Sequence, residues 1–199
     1  MVIMMAFGWI AIGYLLGSCP TGYLLVRLLT GNDIRTLGSC NIGATNVGRV
    51  LGKKWAIATA VFDMSKGGIA VLLATLAGVD SPLVLALTGG AAVIGHNYPV
   101  WLQFKGGKGV ATTYGVLACF DFFNPWPALI GGIGWFLIMK SSRYVSLASM
   151  LSLFLASALM PFFNMPRPYY LTGGVLALLC VWRHRANIQR LLSGTESKV

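Results

Sequence analysis

The sequence predicts an all-α integral membrane protein, a bundle of seven transmembrane helices with the N-terminus outside and the C-terminus cytoplasmic. Three observations predict it. Of 199 residues, 56% are apolar and only 10% charged, where a water-soluble domain carries roughly a quarter of its residues charged. The apolar residues fall in long runs, and about 20 such residues in a helix cross the hydrocarbon core of a bilayer. Lys and Arg concentrate in alternate breaks between the runs, as they do when one side is cytoplasmic.

The first run covers residues 6–29. The first 26 residues contain no Lys or Arg, whereas a signal peptide opens on a basic segment, so the run reads as a retained helix, kinked near Cys19 by Pro20. Further runs cover 55–78, 82–95, 109–123, 126–139, 145–163 and 169–182. Helices are expected throughout, because lipid offers the backbone no hydrogen-bond partner and nothing alternates like a barrel strand. The third, fourth and fifth runs are short for full spans. Asp121 and Pro125 fit the tip of a re-entrant hairpin as well as an outer turn, and a hairpin would leave Lys105 and Lys140 on the same side. With seven crossings, Arg27, Arg35, Arg49, Lys53, Lys54, Lys105, Lys108, Lys140, Arg143, Arg183, Arg185, Arg190 and Lys198 share the inner side; Lys66 lies within a helix and Arg167 opposite. Residues 1–199 are expected to form one membrane domain with no soluble module.

The net charge of +10 does not point to nucleic acid, because the basic residues sit in short breaks where they face anionic headgroups or an anionic substrate. Cys19, Cys40, Cys119 and Cys180 form no C-x-x-C pair and read as small apolar fillers. No metal or cofactor is expected.

Candidate chemistry lies in three polar stretches. Residues 31–54 combine glycines with Ser39, Asn41, Thr45 and Asn46 beside Arg49. Curled glycine backbone turns N–H groups toward an anion, and Arg49 or Arg35 can grip its oxygens bidentately. Residues 95–113 place Gly106, Gly107, Lys108 and Gly109 just before an apolar helix, whose N-terminus suits an anion. This is no Walker loop: Leu102 stands where the first glycine would be and Gly109 where the Ser or Thr would hold magnesium. The third stretch is divided between residues 143–149 and 182–192. The two histidines, His96 and His184, each sit at the inner end of a helix and suit phosphate binding or proton transfer, or complement the helix dipole. Asp63 and Lys66, three residues apart within the second run, read as a structural pair.

Absent residues narrow the chemistry. There is no G-x-S-x-G elbow, no H-E-x-x-H pair, no histidine followed four residues on by Asp, and only five acidic residues. Such an enzyme needs a substrate that arrives activated. An acyl-phosphate is one: its leaving group requires charge stabilisation more than a protein nucleophile.

The segments GSCPTGYLL, GSCNIGATNVGR, GHNYPVWLQFKGGKGVAT, RYVSLAS and HRANIQRLLSG resemble those of the acyl-phosphate:glycerol-3-phosphate acyltransferases, the PlsY family, over nearly the whole chain. The resemblance implies a seven-helix bundle in the bacterial inner membrane, with its active site on the cytoplasmic face. It would make 1-acyl-glycerol 3-phosphate, the lysophosphatidic acid of phospholipid synthesis, with a soluble acyl-phosphate-producing enzyme as partner. By the family pattern Ser39 and Arg49 are essential and residues 106–109 bind glycerol 3-phosphate. His184 and Asn187 contribute to activity, and Ser146 lies near the substrate phosphates. Two positions depart: Cys40 stands where the family usually has Gly, which restricts the backbone if φ is positive there, and Ala186 replaces a Glu that would anchor the last helix to a basic neighbour. A membrane anion or phosphate-ester transporter is the alternative from another class. It is disfavoured because only Asp63 and Lys66 are polar at mid-depth and no internal repeat is present. A thioester-dependent acyltransferase is disfavoured by the missing acid and histidine pair.

Overall fold

The computed structural model describes residues 2–122 and 124–199, so the expected end of the fourth run at Phe123 lies outside the described residues. Among these, ten α-helices occur: α1 (Val2–Gly17), α2 (Thr21–Thr30), α3 (Ala44–Leu51), α4 (Lys53–Leu76), α5 (Pro82–Asn97), α6 (Val110–Cys119), α7 (Trp126–Ser142), α8 (Val145–Leu159), α9 (Arg167–Arg183) and α10 (Arg185–Leu192). Four stretches, Met4–Thr30, Lys53–Leu76, Pro82–Leu102 and Val145–Phe163, are long and apolar enough to cross a membrane. By contrast α6 has 10 residues and rises only about 15 Å, half a bilayer core.

The kink expected at Pro20 is a full break between α1 and α2. The proline ring has no N–H and clashes with the preceding turn. Lys66 Nζ donates to the Cys19 carbonyl at 2.7 Å and to Asp63 Oδ1 at 2.7 Å, so the interruption is satisfied from α4. Two short helices were not expected. α3 lies within the first polar stretch, divided from α4 by Gly52 at φ +92°, and α10 covers most of the later part of the third, residues 182–192.

The helices approach closely through small residues, the means by which helices pack where lipid supplies no hydrophobic drive between them. A Cβ on Gly17 would lie 1.9 Å from the Ala92 carbonyl oxygen, bringing α1 against α5; one on Gly115 would lie 1.9 Å from that of Met64, bringing α6 against α4. Val71, Val93, Val116, Leu117 and Leu153 fill the interior, and Phe120 stacks on Tyr169 with ring centroids 4.4 Å apart. Phe62, Leu73, Leu87, Val175 and Leu178 are exposed on the outside, apolar surface suited to lipid. The reading of all four cysteines as fillers needs correction. Cys180 is buried and Cys119 partly so, but Cys19 and Cys40 are exposed, because both sit in interruptions between helices.

This packing gathers the α2–α4 connection, the α5–α6 connection, the start of α8 and the end of α9 around one cavity.

Candidate active site

The cavity has a volume of about 1210 Å³ and is lined at its polar end by Ser39, Asn41, Thr45, Asn46, Arg49, His96, Lys108, Gly109, Ser146, His184 and Asn187. All three polar stretches therefore meet. From there the cavity continues between α4, α6 and α7, past Ala60, Met64, Tyr114, Ala118, Leu129 and Ile133. Of the residues expected at the site, Gly106 and Gly107 are not on its wall.

The first loop is held by one amide. Buried Asn46 accepts the Ser39 N–H at Oδ1 (2.8 Å) and donates from Nδ2 to the carbonyls of Leu37 and Asn41 (2.9 Å each). It organises the loop that presents Ser39, and its amide is consumed in doing so. Asn41 likewise spends its Oδ1 on the Gly43 N–H at 2.9 Å. Cys40 has φ +58°, so the position where the resemblance expects glycine is one that favours it. Arg35 is not available to an anion. It is bound to Asp33 at 2.7 Å and lies over the Tyr23 ring, and its hydrogen bonds hold the Asp33 carboxyl below its ordinary value. Arg49 is exposed on the cavity wall and has no ion-pair partner among the described residues.

The second loop is held by backbone contacts. The N–H groups of Gly106 and Gly107 donate to the carbonyls of Asn97 and His96 at 3.2 and 3.0 Å, so neither is free to bind an anion. Their own carbonyls accept from Arg183 Nη2 at 2.8 Å and Nε at 3.0 Å, while that guanidinium lies over the Tyr98 ring. A Cβ on Gly107 would lie 2.0 Å from His96 Nε2. What this loop offers an anion is Lys108 and the N-terminal turn of α6, whose Gly109, Val110 and Ala111 line the cavity; first-turn N–H groups have no partner within their helix.

Lys108 Nζ donates to Asn187 Oδ1 at 2.5 Å. Burial pushes its ammonium down to about 8, with the Glu196 carboxylate opposing, so it stays charged at neutral pH. His184 is buried, and its Nδ1 lies 2.8 Å from the Cys180 carbonyl. A carbonyl only accepts, so Nδ1 carries the proton and Nε2 is the acceptor in the neutral ring. Burial first, then the Lys108 charge, push the His184 imidazole down to about 4. Neutral His184 can accept a hydrogen bond from a hydroxyl but cannot donate from Nε2 to a phosphate. No imidazole or carboxylate bonds to Ser39 Oγ among the described residues, so the activated nucleophile of a covalent mechanism is not assembled there.

At the deep edge of the polar end Asp63 accepts from Lys66, and His96 Nδ1 is 3.6 Å from Asp63 Oδ1. The pair expected to be structural thus extends to His96 and reaches the cavity wall. Sequence reasoning missed Arg183 and Glu196. Arg183 lies within the third polar stretch and Glu196 just beyond it, and the roles of both depend on partners remote in sequence. Glu196 accepts from Ser146, Asn187 and Arg190, so the anchor for α10 comes from the tail, while Ala186 is exposed.

Residues 7–194 match the family model described as glycerol-3-phosphate acyltransferase. The glycerol-3-phosphate acyltransferase of Shouchella clausii is 46% identical over 192 residues, covering 94% of this chain and 92% of that protein. That of Rhodospirillum rubrum is 47% identical over 194 residues, covering 94% and 88%. A crystal structure of PlsY, an integral membrane glycerol 3-phosphate acyltransferase, in its glycerol 3-phosphate form superposes with a TM-score of 0.90 at 42% identity, covering 98% of this chain and 95% of the other. The lysophosphatidic acid form of PlsY superposes at 0.88 and 40% identity, covering 97% and 94%.

Proposed function

This chain belongs to the glycerol-3-phosphate acyltransferase family, and on that premise we propose that it transfers an acyl group from acyl-phosphate to the sn-1 hydroxyl of glycerol 3-phosphate. The products are 1-acyl-glycerol 3-phosphate (lysophosphatidic acid) and phosphate. The proposed setting is the bacterial inner membrane, with seven helices crossing, the N-terminus outside, and the C-terminus and active site cytoplasmic. A soluble enzyme that makes acyl-phosphate is the proposed partner.

One observation carries the reading: a single cavity joins a cationic, amide-rich end to an apolar channel between α4, α6 and α7. This suits reactants whose phosphates and acyl chain must be held at once. Arg49, Lys108, Ser39, the second N–H of Asn187 and the first turn of α6 serve the phosphates, and Ser146 stands beside them. The acyl chain lies in the apolar part, and holding both reactants in line supplies much of the rate. His184 Nε2 accepts from the attacking hydroxyl and orients it. With an imidazole this weakly basic, a substrate phosphate oxygen is the proton's destination. The hydroxyl oxygen bonds to the acyl carbon, the carbon–oxygen bond to the phosphate leaves with its electron pair, and Lys108 and Arg49 take up the charge.

Purified protein in detergent or lipid is expected to release phosphate from acyl-phosphate only when glycerol 3-phosphate is present, and to leave acyl-CoA unused. Phosphate release without the acceptor would indicate a hydrolase, and consumption of acyl-CoA would overturn the assigned donor. Flux of phosphate esters across vesicles with no acyl transfer would favour the transporter reading.

A further inference from the structure

We infer that Glu196 is a positioning residue for this reaction: its carboxylate fixes the direction of the Asn187 amide and, through it, the place of the Lys108 ammonium at the phosphate end of the cavity. The inference rests on the function proposed above and goes beyond it, because Glu196 lies past residues 7–194, which match the family model.

The tail is built to bring this side chain back. After α10 the chain turns at Gly194 (φ +70°), and the N–H groups of Thr195 and Glu196 both donate to the Arg190 carbonyl, at 2.8 and 3.1 Å. The side chain of Glu196, 8% exposed, then points between α8 and α10. Its Oε1 accepts from Asn187 Nδ2 at 2.6 Å and from Ser146 Oγ at 2.8 Å, and its Oε2 accepts from Arg190 Nε at 2.7 Å. Two further bonds close the tail, from the Val199 N–H to the Arg143 carbonyl (3.0 Å) and from Arg143 Nε to the Val199 carbonyl (2.9 Å).

A carboxylate only accepts hydrogen bonds, so Asn187 must turn its NH2 toward Glu196. Its Oδ1 then has one direction left, and Lys108 Nζ is there at 2.5 Å. The flipped amide would set NH2 against ammonium, donor against donor. A carboxylate beside a site for dianions weakens their binding unless something offsets it. Arg190 offsets it here, leaving Glu196 to orient its neighbours. Burial pushes the Glu196 carboxyl up, and the bonds from Asn187, Ser146 and Arg190 more than offset this, holding it ionised. Lys108 is faced by Cys180, Arg183 and His184 from α9 and its end, by Arg190 from α10, and by Glu196; of the ionised groups among these, Glu196 alone is negative.

The test compares Glu196→Gln and Glu196→Asp with the wild type, measuring kcat and KM for glycerol 3-phosphate from neutral to alkaline pH. Glu196→Gln is expected to lower kcat about tenfold or more. It should also move the alkaline limb of kcat/KM to lower pH by roughly half a unit to one unit, because Lys108 loses the negative neighbour that helps it keep its proton. Glu196→Asp is expected to return the limb toward its wild-type position. If Glu196→Gln proves unstable in detergent, the position of the limb in Glu196→Asp still decides: restoration to the wild-type value supports the inference and displacement as in a fully uncoupled lysine contradicts it. Wild-type kcat with an unmoved limb in Glu196→Gln would overturn it, as would a lower KM at unchanged kcat, the mark of a carboxylate that merely competes with phosphate. A wild-type protein that transferred no acyl group would instead sink the functional reading and this inference with it.

Discussion

The two loops that meet at the phosphate end are held in opposite ways. The first, between α2 and α4, hangs on one side chain: Asn46 ties Ser39, Leu37 and Asn41 together. The second, between α5 and α6, is held by absent side chains, its glycines pressed on the backbone of residues 96 and 97 and clamped by Arg183. Each is therefore fragile in its own way. The first should fail when atoms are removed, the second when atoms are added.

The largest effect is expected from Gly107→Ala. The new methyl group would lie 2.0 Å from the ring of His96, which is buried beside Asp63, so ring or loop must shift. Displacing Lys108 by even about 1 Å should lower kcat/KM at least about 10²-fold, read by steady-state kinetics. Near-normal activity would show that the loop yields and would erase the contrast. Next comes Asn46→Ala, which leaves the Ser39 N–H and two carbonyls without their partner. These groups are only part-buried, so each costs less than the about 1–3 kcal/mol of a fully buried unpaired group, and together they are expected to lower the thermal midpoint and to cost about tenfold or more in activity. Asn46→Asp sharpens the point. It keeps the acceptor for Ser39 but loses both donors, and should be nearly as harmful as Ala.

A smaller effect is expected at His184. Its folded value, pushed down to about 4, keeps the ring uncharged through the neutral range, so its protonation begins only as pH falls toward that value. His184→Ala should lower kcat by less than the roughly 10²-fold or more that loss of a general base costs, and leave the pH profile above about 5 unchanged in shape. A group titrating near neutrality that vanishes with the substitution would make His184 the base. The smallest effect belongs to Cys40→Gly. A non-glycine residue at φ +58° bears roughly 1–2 kcal/mol of local strain, which glycine relieves while adding chain entropy to the unfolded state. A stability change under about 1 kcal/mol with activity intact is expected. A large change would mean that the cysteine side chain itself supports the loop.

Much of the fold was legible because lipid enforces long apolar runs: residues 55–78 became α4, residues 169–182 became α9, and Pro20 broke the helix where its ring had to. α3 was not legible. Its eight residues, ATNVGRVL, carry two polar residues, a glycine and an arginine, and they are set against α4 where Gly48 meets Ala56. At the site, residue types announced an anion but did not announce their pairings. Nothing in the order of residues says that Asn46 spends its amide on the loop, or that the Gly106 and Gly107 N–H groups are taken. The role of Arg183 depends on contacts 76 and 77 residues away, and that of Glu196 on a Ser146 hydroxyl 50 residues away. The first loop could have been read as a built structure had Asn46 been weighed as a turn-former as well as a ligand.

In the proposed reaction both substrates occupy the cavity together and the acyl group passes directly between them. Initial velocities measured while acyl-phosphate and glycerol 3-phosphate are varied against each other test this most directly. Direct transfer predicts double-reciprocal lines that intersect. Parallel lines, with an early burst of phosphate equal to the enzyme present, would mean that the acyl group first rests on the protein, and would contradict the account.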